Sequence, residues 1–174
     1  LVLFSKLPRS ADEKINKKTS IPFFLLHLLP FLAIFTGVTV KAVVLGMVLF
    51  WGRMFFITAG YHRYFAHKSY KLNRFWQFWM AFLAQTSGQK GALWRAAHHR
   101  DHHLYSDRKE DLHSPVHEGF WWSHLGWILS NEYDEYDPKR IADLHRFPEL
   151  RLLDRLHLLP CILYGAGIYF AFGW

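Results

Sequence analysis

One cysteine, Cys161, stands in 174 residues. An internal disulfide framework is excluded, and so is a structural zinc finger built on thiolates. Acidic residues are also in the minority. Fourteen Asp and Glu face 21 Lys and Arg, a formal net charge of +7. Dinucleotide fingerprints are missing: Gly165 and Gly167 lie in an apolar run without the third glycine. No haem- or flavin-binding signature, cleavable signal peptide, internal repeat or low-complexity tract is evident, and strand signals are few. The pattern predicts an all-α chain.

What is abundant is apolar and aromatic. Hydrophobic residues make up 51% of the chain, with 8 Trp and 16 Phe, which is heavy for a soluble domain. Three long apolar stretches stand out: residues 21–40, 42–60 and 158–174. Each approaches the roughly 20 helical residues that cross a bilayer core. Pro30 is expected to kink the first helix without ending it. His27 in that span is expected to face a helical neighbour and hold no metal. Arg53 interrupts the second span and must pair or snorkel. Lys41 alone separates the first two, which predicts a tight transmembrane hairpin. Residues 75–84 are apolar but too short to cross, and suit an interfacial or buried helix.

Charge gives the topology. Five Lys and Arg lie in residues 1–20 and fourteen in 61–157, against Lys41 at the hairpin tip. The positive-inside rule places the basic tail 1–20 and the region 61–157 in the cytoplasm. The fourteen face twelve acids in the same region, so much of that charge is mixed solvated surface. The remaining basic excess suits anionic headgroups or simply reports topology. No nucleic-acid partner is expected.

Eight of the twelve histidines fall between His62 and His117. Histidine is the commonest metal ligand, so this concentration beside apolar spans points to a metal site at the bilayer surface. His99, His102 and His103 stand at i, i+3 and i+4, on one helix face. His62 and His67 are five apart, about 140° around an ideal helix, so the helix is expected to end or distort near them. His98 points away from the His99 face. Imidazole suits Fe, Zn, Cu and Ni alike, so the residues leave the metal open. Asp101, Asp107 and Asp111 are the nearby carboxylates that could orient the rings. Tyr61, Tyr64, Trp94, Trp121, Trp122 and Trp127 are expected to anchor a cap at headgroup level. His117, His145 and His157 are expected at surfaces or interfaces.

Gly60-Tyr-His-Arg-Tyr-Phe-Ala-His67-Lys-Ser-Tyr70 resembles the first histidine box of the integral-membrane fatty acid desaturases of the Δ9 acyl type. His99-Arg-Asp-His102-His103-Leu-Tyr-Ser-Asp107 resembles the second. Asp111-Leu-His113-Ser-Pro115, Gly119-Phe-Trp-Trp-Ser-His124-Leu-Gly-Trp127 and Phe147-Pro-Glu-Leu-Arg-Leu-Leu-Asp154 are similar to that family too, with bacterial members nearest in character. The resemblance covers most of the chain beyond residue 21.

It implies a transmembrane hairpin plus a cytosolic helical cap, with residues 21–174 forming a partial desaturase domain. It implies two Fe ions on histidine and O2 as co-substrate. His62, His67, His99, His102 and His103 carry over as metal ligands, and His98, His113 and His124 as supporting positions. The implied reaction removes two hydrogens from a saturated acyl chain to leave a cis double bond, at Δ9. The substrate would be an acyl-CoA, an acyl-lipid or an acyl-ACP. With no nicotinamide or flavin signature in the chain, electrons would come from ferredoxin or a cytochrome b5-like protein, and membrane lipid surrounds the spans.

Two departures qualify the resemblance. The family's third box, HxxHH, has no counterpart before Trp174, so the chain reads as a fragment without its start and C-terminal half, inactive by itself. Acyl-CoA-using relatives often carry paired basic residues where His117 and Glu118 stand, which weighs against a CoA thioester. Two alternatives stay open. A membrane hydroxylase or alkane-type monooxygenase would share these boxes, and a non-catalytic membrane metal-binding protein would need only the ligands.

Overall fold

The computed structural model describes residues 14–172, other than 107, 109, 112 and 113. Helix is the repeating structure among them; a lone antiparallel bridge joins Ile15 to Ser130. The all-α reading holds in that form. The chain divides into two units: Leu1–Val44 with Asp101–Glu135, and Leu45–Arg100 with Tyr136–Trp174.

In the first unit, helix α1 (Lys17–Leu28) runs into a 3-10 turn, Leu29–Leu32, and then α2 (Ala33–Thr36). Pro30 lacks an N–H to donate, so the ladder tightens there and the helix resumes beyond it. Gly37 ends it at φ +76, where a Cβ would be strained. Thr39 Oγ1 then accepts from the backbone N–H of Ala42 at 3.2 Å and starts α3 (Val40–Phe56). The break between the first two apolar stretches is thus Gly37–Thr39, and Lys41 is already helical. The left-handed glycine and the threonine cap outweigh the single charge as punctuation.

Further along this unit, the short helices α6 (Pro115–Glu118) and α7 (Phe120–His124) meet at Gly119, φ +77. Asn16 ties the start of the unit to its end. Its backbone N–H donates to Leu129 O, and its side chain to Asn131 Oδ1, both at 2.9 Å.

In the second unit, α3 continues without interruption into a π-helix, Ile57–Ala66. The run Val40–Ala66 is 27 residues and is the one helix, among the described residues, long and apolar enough to cross a membrane by itself. The apolar helix Ser20–Phe35 is shorter. Helix α10 (Leu159–Phe172) has 14 residues. That gives it roughly 21 Å at 1.5 Å per residue, short of a ~30 Å core. It reaches span length only together with α9 (Pro148–Arg155), from which it bends by 71°. Arg53 does find a partner: its guanidinium lies over the Tyr164 ring, 5.8 Å from the centroid.

The core of this unit packs the π-helix, α4 (Arg74–Gln85), α5 (Ala92–Tyr105), α8 (Ala142–His145) and α9 through Phe65, Ala81, Ala84, Leu93, Leu144 and Leu150. Asn73 caps α4 by accepting from Trp76 N at 3.0 Å. Helix α4 is two-faced: Gln77, Ala81 and Ala84 are buried, while Phe75, Trp76 and Trp79 are exposed.

The aromatic anchors need correction. Of the six expected at headgroup level, only Trp121 is exposed, at 77%. Tyr61, Tyr64, Trp94, Trp122 and Trp127 are all buried. Burial supplies core volume, and the tyrosines keep partners for their hydroxyls. Tyr61 donates to Lys90 O at 2.9 Å and Tyr64 to Gln77 Oε1 at 2.9 Å. Exposed aromatics lie instead on α4 and along the apolar helices, Trp51 and Phe55 of α3 among them.

Candidate metal centre

Two elements bring histidines together. The first is the π-helix. In an α-helix, residues five apart diverge by about 140°. In a π-helix the i→i+5 bond brings them nearly into register. His67 N donates to His62 O at 3.0 Å, an i→i+5 bond, so the wide turn aligns the two rings. The distortion expected from the spacing is therefore a π-helix. Ser69 N bonds Arg63 O at 2.8 Å and Tyr70 hydroxyl donates to Ala59 O at 2.6 Å, bracing the turns from outside.

The second element is α5, which carries His99. Its N-terminus has no side-chain cap of its own; the cap comes from α9. Asp154 Oδ1 accepts from Leu93 N at 2.8 Å and Trp94 N at 3.1 Å. The carboxylate satisfies two orphan donors and opposes the helix dipole. It reaches them because Gly91 has no Cβ: one built there would overlap the Asp154 carboxyl group.

At the far end of that span of α5, Arg100 grips the end of the π-helix. Its Nη2 donates to Phe65 O at 2.7 Å and its Nε to Ala66 O at 3.2 Å. Nη1 donates to Arg140 O at 2.9 Å and to Asp143 Oδ1 at 2.7 Å. Asp143 also takes Lys68 Nζ at 3.0 Å. Burial works against the Asp143 charge, but hydrogen bonds and charge from Arg100 and Lys68 outweigh it and hold this carboxyl below the usual carboxylate range. The stabilisation is therefore present above the ordinary carboxylate pKa and is lost as pH falls through the lowered one.

The result is a cluster of Nε2 atoms. His67 Nε2 lies 3.1 Å from His62 Nε2 and 3.3 Å from His99 Nε2. The three rings' donor nitrogens all lie within 4.8 Å of one another. Which ring donates depends on the tautomer, and a shared cation would take a lone pair from each of the three. Nitrogens bound to one ion at 2.0–2.1 Å sit ~3 Å apart, the spacing found here. The donor set thus fits a transition metal. His62 and His67 are exposed and His99 half-buried, so the cluster opens to the surface.

The other sequence candidates divide. His103 stands one turn beyond His99 in unbroken α5, on the same face. His102 turns to a carboxylate: its Nδ1 lies 2.8 Å from Asp111 Oδ1, and Asp111 is fully buried. That fixes the ring and directs Nε2 away from the carboxylate, the arrangement common in histidine metal ligands. His98 packs on Trp94, centroids 4.5 Å apart. His124 stacks on Phe120 at 5.3 Å. Asp101 sits half-buried on α5. Asp107 and His113 lie outside the described residues. His27 bonds its own helix at Phe23 O, 2.7 Å. His145 faces the Tyr136 ring at 6.4 Å.

Sequence reasoning missed Gly91, Arg100, Asp143 and Asp154. Only Gly91 carried a local signal, as the glycine before a helix without a Ser, Thr, Asp or Asn cap. The others act across 34 to 75 residues of chain.

Lys68 sits at φ +53 directly after His67. A left-handed lysine costs about 1–2 kcal/mol, and glycine escapes that cost. Lys68→Gly and Lys68→Ala both lack the ammonium, so comparing them isolates the backbone. Thermal unfolding of the two should show the glycine variant more stable by about 1 kcal/mol. Equal stability would mean that residue 68 is not left-handed.

Among the described residues, helices, one of them long and apolar enough to cross a membrane, and a convergent imidazole cluster fit the class of membrane proteins with a histidine metal site. Comparison with known proteins narrows it. The chain is 28% identical to sn-1 stearoyl-lipid 9-desaturase of Anabaena variabilis over 95% of its own length and 61% of that protein. It is 33% identical to sn-2 palmitoyl-lipid 9-desaturase of Nostoc sp. over 68% of itself and 43% of the relative. It is 29% identical to a probable acyl-CoA desaturase of Schizosaccharomyces pombe over 81% of itself and 30% of the relative. No protein-family model and no solved structure matches the chain. It belongs to the fatty acid desaturase family. It spans about three fifths of the first of these relatives and less than half of the other two.

Proposed function

We propose that this chain is the part of an O2-dependent fatty acyl desaturase that carries the first two histidine boxes. The observation that supports the reading most is the meeting of His62 and His67 with His99 through their Nε2 atoms, from two boxes 32 residues apart. Family membership supplies the chemistry such a site serves. We assign His62, His67, His99, His102 and His103 as ligands of a di-iron centre. His62, His67 and His99 point Nε2 at one place, His103 follows on the same face of α5, and His102 presents Nε2 with Nδ1 held by Asp111. Bound iron would activate O2 to take two hydrogens from an unactivated acyl chain. The protein's share is to orient the rings, through Asp111 and Arg100, and to keep the imidazoles neutral for binding.

The substrate is a saturated acyl chain. An acyl-lipid is favoured over acyl-CoA by the names of the two cyanobacterial relatives and by His117 and Glu118, which stand where a basic pair would be. The double bond is assigned to Δ9 by the same names. Electrons come from ferredoxin or a cytochrome b5-like carrier. The basic tail and the histidine region face the cytoplasm, with residues 21–40 and 42–60 as the hairpin, a reading supported by the charge asymmetry.

Expression of the whole desaturase that carries this chain, in a host supplying a ferredoxin, should yield new monounsaturated fatty acid, found mainly in membrane lipids and dependent on O2, and the 174-residue chain alone should yield none. A hydroxylated acyl product would favour the monooxygenase alternative. Metal uptake with neither product, in a host whose donor supports a known desaturase, would leave the non-catalytic reading.

A further inference from the structure

Asp143 lies on the four-residue helix α8, outside both histidine boxes. Its carboxylate nevertheless meets the chain beside each of them. Oδ1 accepts from Arg100 Nη1 at 2.7 Å and Oδ2 from Nη2 at 3.2 Å, a two-point fork. Oδ2 also lies 3.0 Å from Lys68 Nζ. Arg100 directly follows His99, and Lys68 directly follows His67. The same guanidinium holds Phe65 O and Ala66 O at the end of the π-helix, so one side chain spans the two histidine elements.

These contacts differ in kind. The Arg100 side chain is only 15% exposed, and its planar fork fixes direction as well as distance. Lys68 is 58% exposed, and that pair by itself is weak. Its backbone, though, is left-handed, the state in which the chain turns away directly after His67. Strained backbone of this kind persists only where its surroundings hold it. Lys68 N donates to Tyr64 O at 3.1 Å and Ser69 N to Arg63 O at 2.8 Å, and Asp143 adds a contact from another helix.

We propose that Asp143 is a positioning residue for the histidine cluster. It sets the separation of His67 from His99 through Lys68 and Arg100. This rests on the reading of the cluster as a metal site, and it adds a residue that no histidine motif contains.

The test uses the whole 174-residue chain in lipid nanodiscs, metal-free, titrated with Co(II) alone. Wild type should bind, with a Co(II) visible spectrum of nitrogen ligation. Asp143→Asn should weaken binding about tenfold or more and alter the spectrum, the range typical of groups that orient ligands. Asp143→Glu, which keeps the fork and the charge, should recover most of the affinity. A variant that unfolds more easily yet keeps wild-type affinity and spectrum would overturn the inference, because Asp143 would then be structural only. Should Asp143→Asn fail to fold by circular dichroism, Lys68→Met carries the same reading at an exposed position: a changed Co(II) spectrum supports the proposal, and an unchanged one overturns it. If wild type takes up no Co(II), the metal reading itself fails and this inference with it; binding by wild type and Asp143→Asn alike defeats the inference alone.

Discussion

In the whole desaturase of which this chain is proposed to be a part, alanine at His67 or at His99 should abolish metal retention and double-bond formation, whereas alanine at His145 should leave both largely intact. His67 is the centre of the cluster, 3.1 Å from one partner nitrogen and 3.3 Å from the other. Removing it deletes a ligand and also separates the two elements that the ion would join. Groups that merely orient ligands are worth 10–100-fold in affinity. Loss of a ligand should exceed that range, so product should fall by more than about a hundredfold. His145 packs near Tyr136 and shares no nitrogen with the cluster. Iron analysis of the purified variants, beside fatty acid profiles of the cells expressing them, measures both effects. Equal loss in His145→Ala would break the division between ligands and bystanders.

The comparison of His62 with His102 shows how far the sequence could be read. The spacing of His62 and His67 forbids a regular α-helix if both rings are to converge, and this correctly pointed to distortion. It could not say that the distortion is a π-helix ten residues long, because i→i+5 bonding depends on outside braces such as Tyr70 on Ala59 and Arg100 on Phe65. His102 was legible as one of a run on α5. Its ring, however, is fixed by Asp111, nine residues on and fully buried. Nearness in sequence named Asp111 among three candidate carboxylates, and packing is what sets it against His102. The spans show the opposite balance. Hydropathy marked three apolar stretches, and among the described residues only the second forms a helix long enough to cross a membrane by itself. It placed the first boundary at a charge, where the chain uses Gly37 and Thr39. It also read as membrane-facing five aromatics that fill the interior. Periodicity reports which residues are apolar, and it cannot distinguish lipid from a protein core as the surroundings they seek.

The largest structural effect is expected at Gly91. Helix α5 carries His99, His102 and His103, and its start depends on Asp154 reaching across from α9. That reach exists because residue 91 has no side chain; a Cβ there overlaps the Asp154 carboxyl group and comes to 3.0 Å from its Cα. Backbone cannot yield as a flexible side-chain tip can, so α9 or the first turn of α5 must move. Gln85 is bound to the same stretch, donating to Leu153 O at 3.1 Å from a fully buried position. A shift of α9 therefore strands that amide as well as the two N–H groups of α5. Gly91→Val should cost about 3–5 kcal/mol, combining overpacking with the loss of a cap. Asp154→Ala removes the cap without the clash and should cost about 1–3 kcal/mol. In Gly91→Ala the smaller clash should fall between these. The double variant Gly91→Ala with Asp154→Ala should be less destabilised than the sum of its parts, since the severest part of the clash is with the Asp154 carboxyl group and only the tight approach to its Cα remains. Thermal unfolding of the four proteins in one detergent gives the cycle. Strict additivity would show that Asp154 does not lie against residue 91, and α5 would then need another cap.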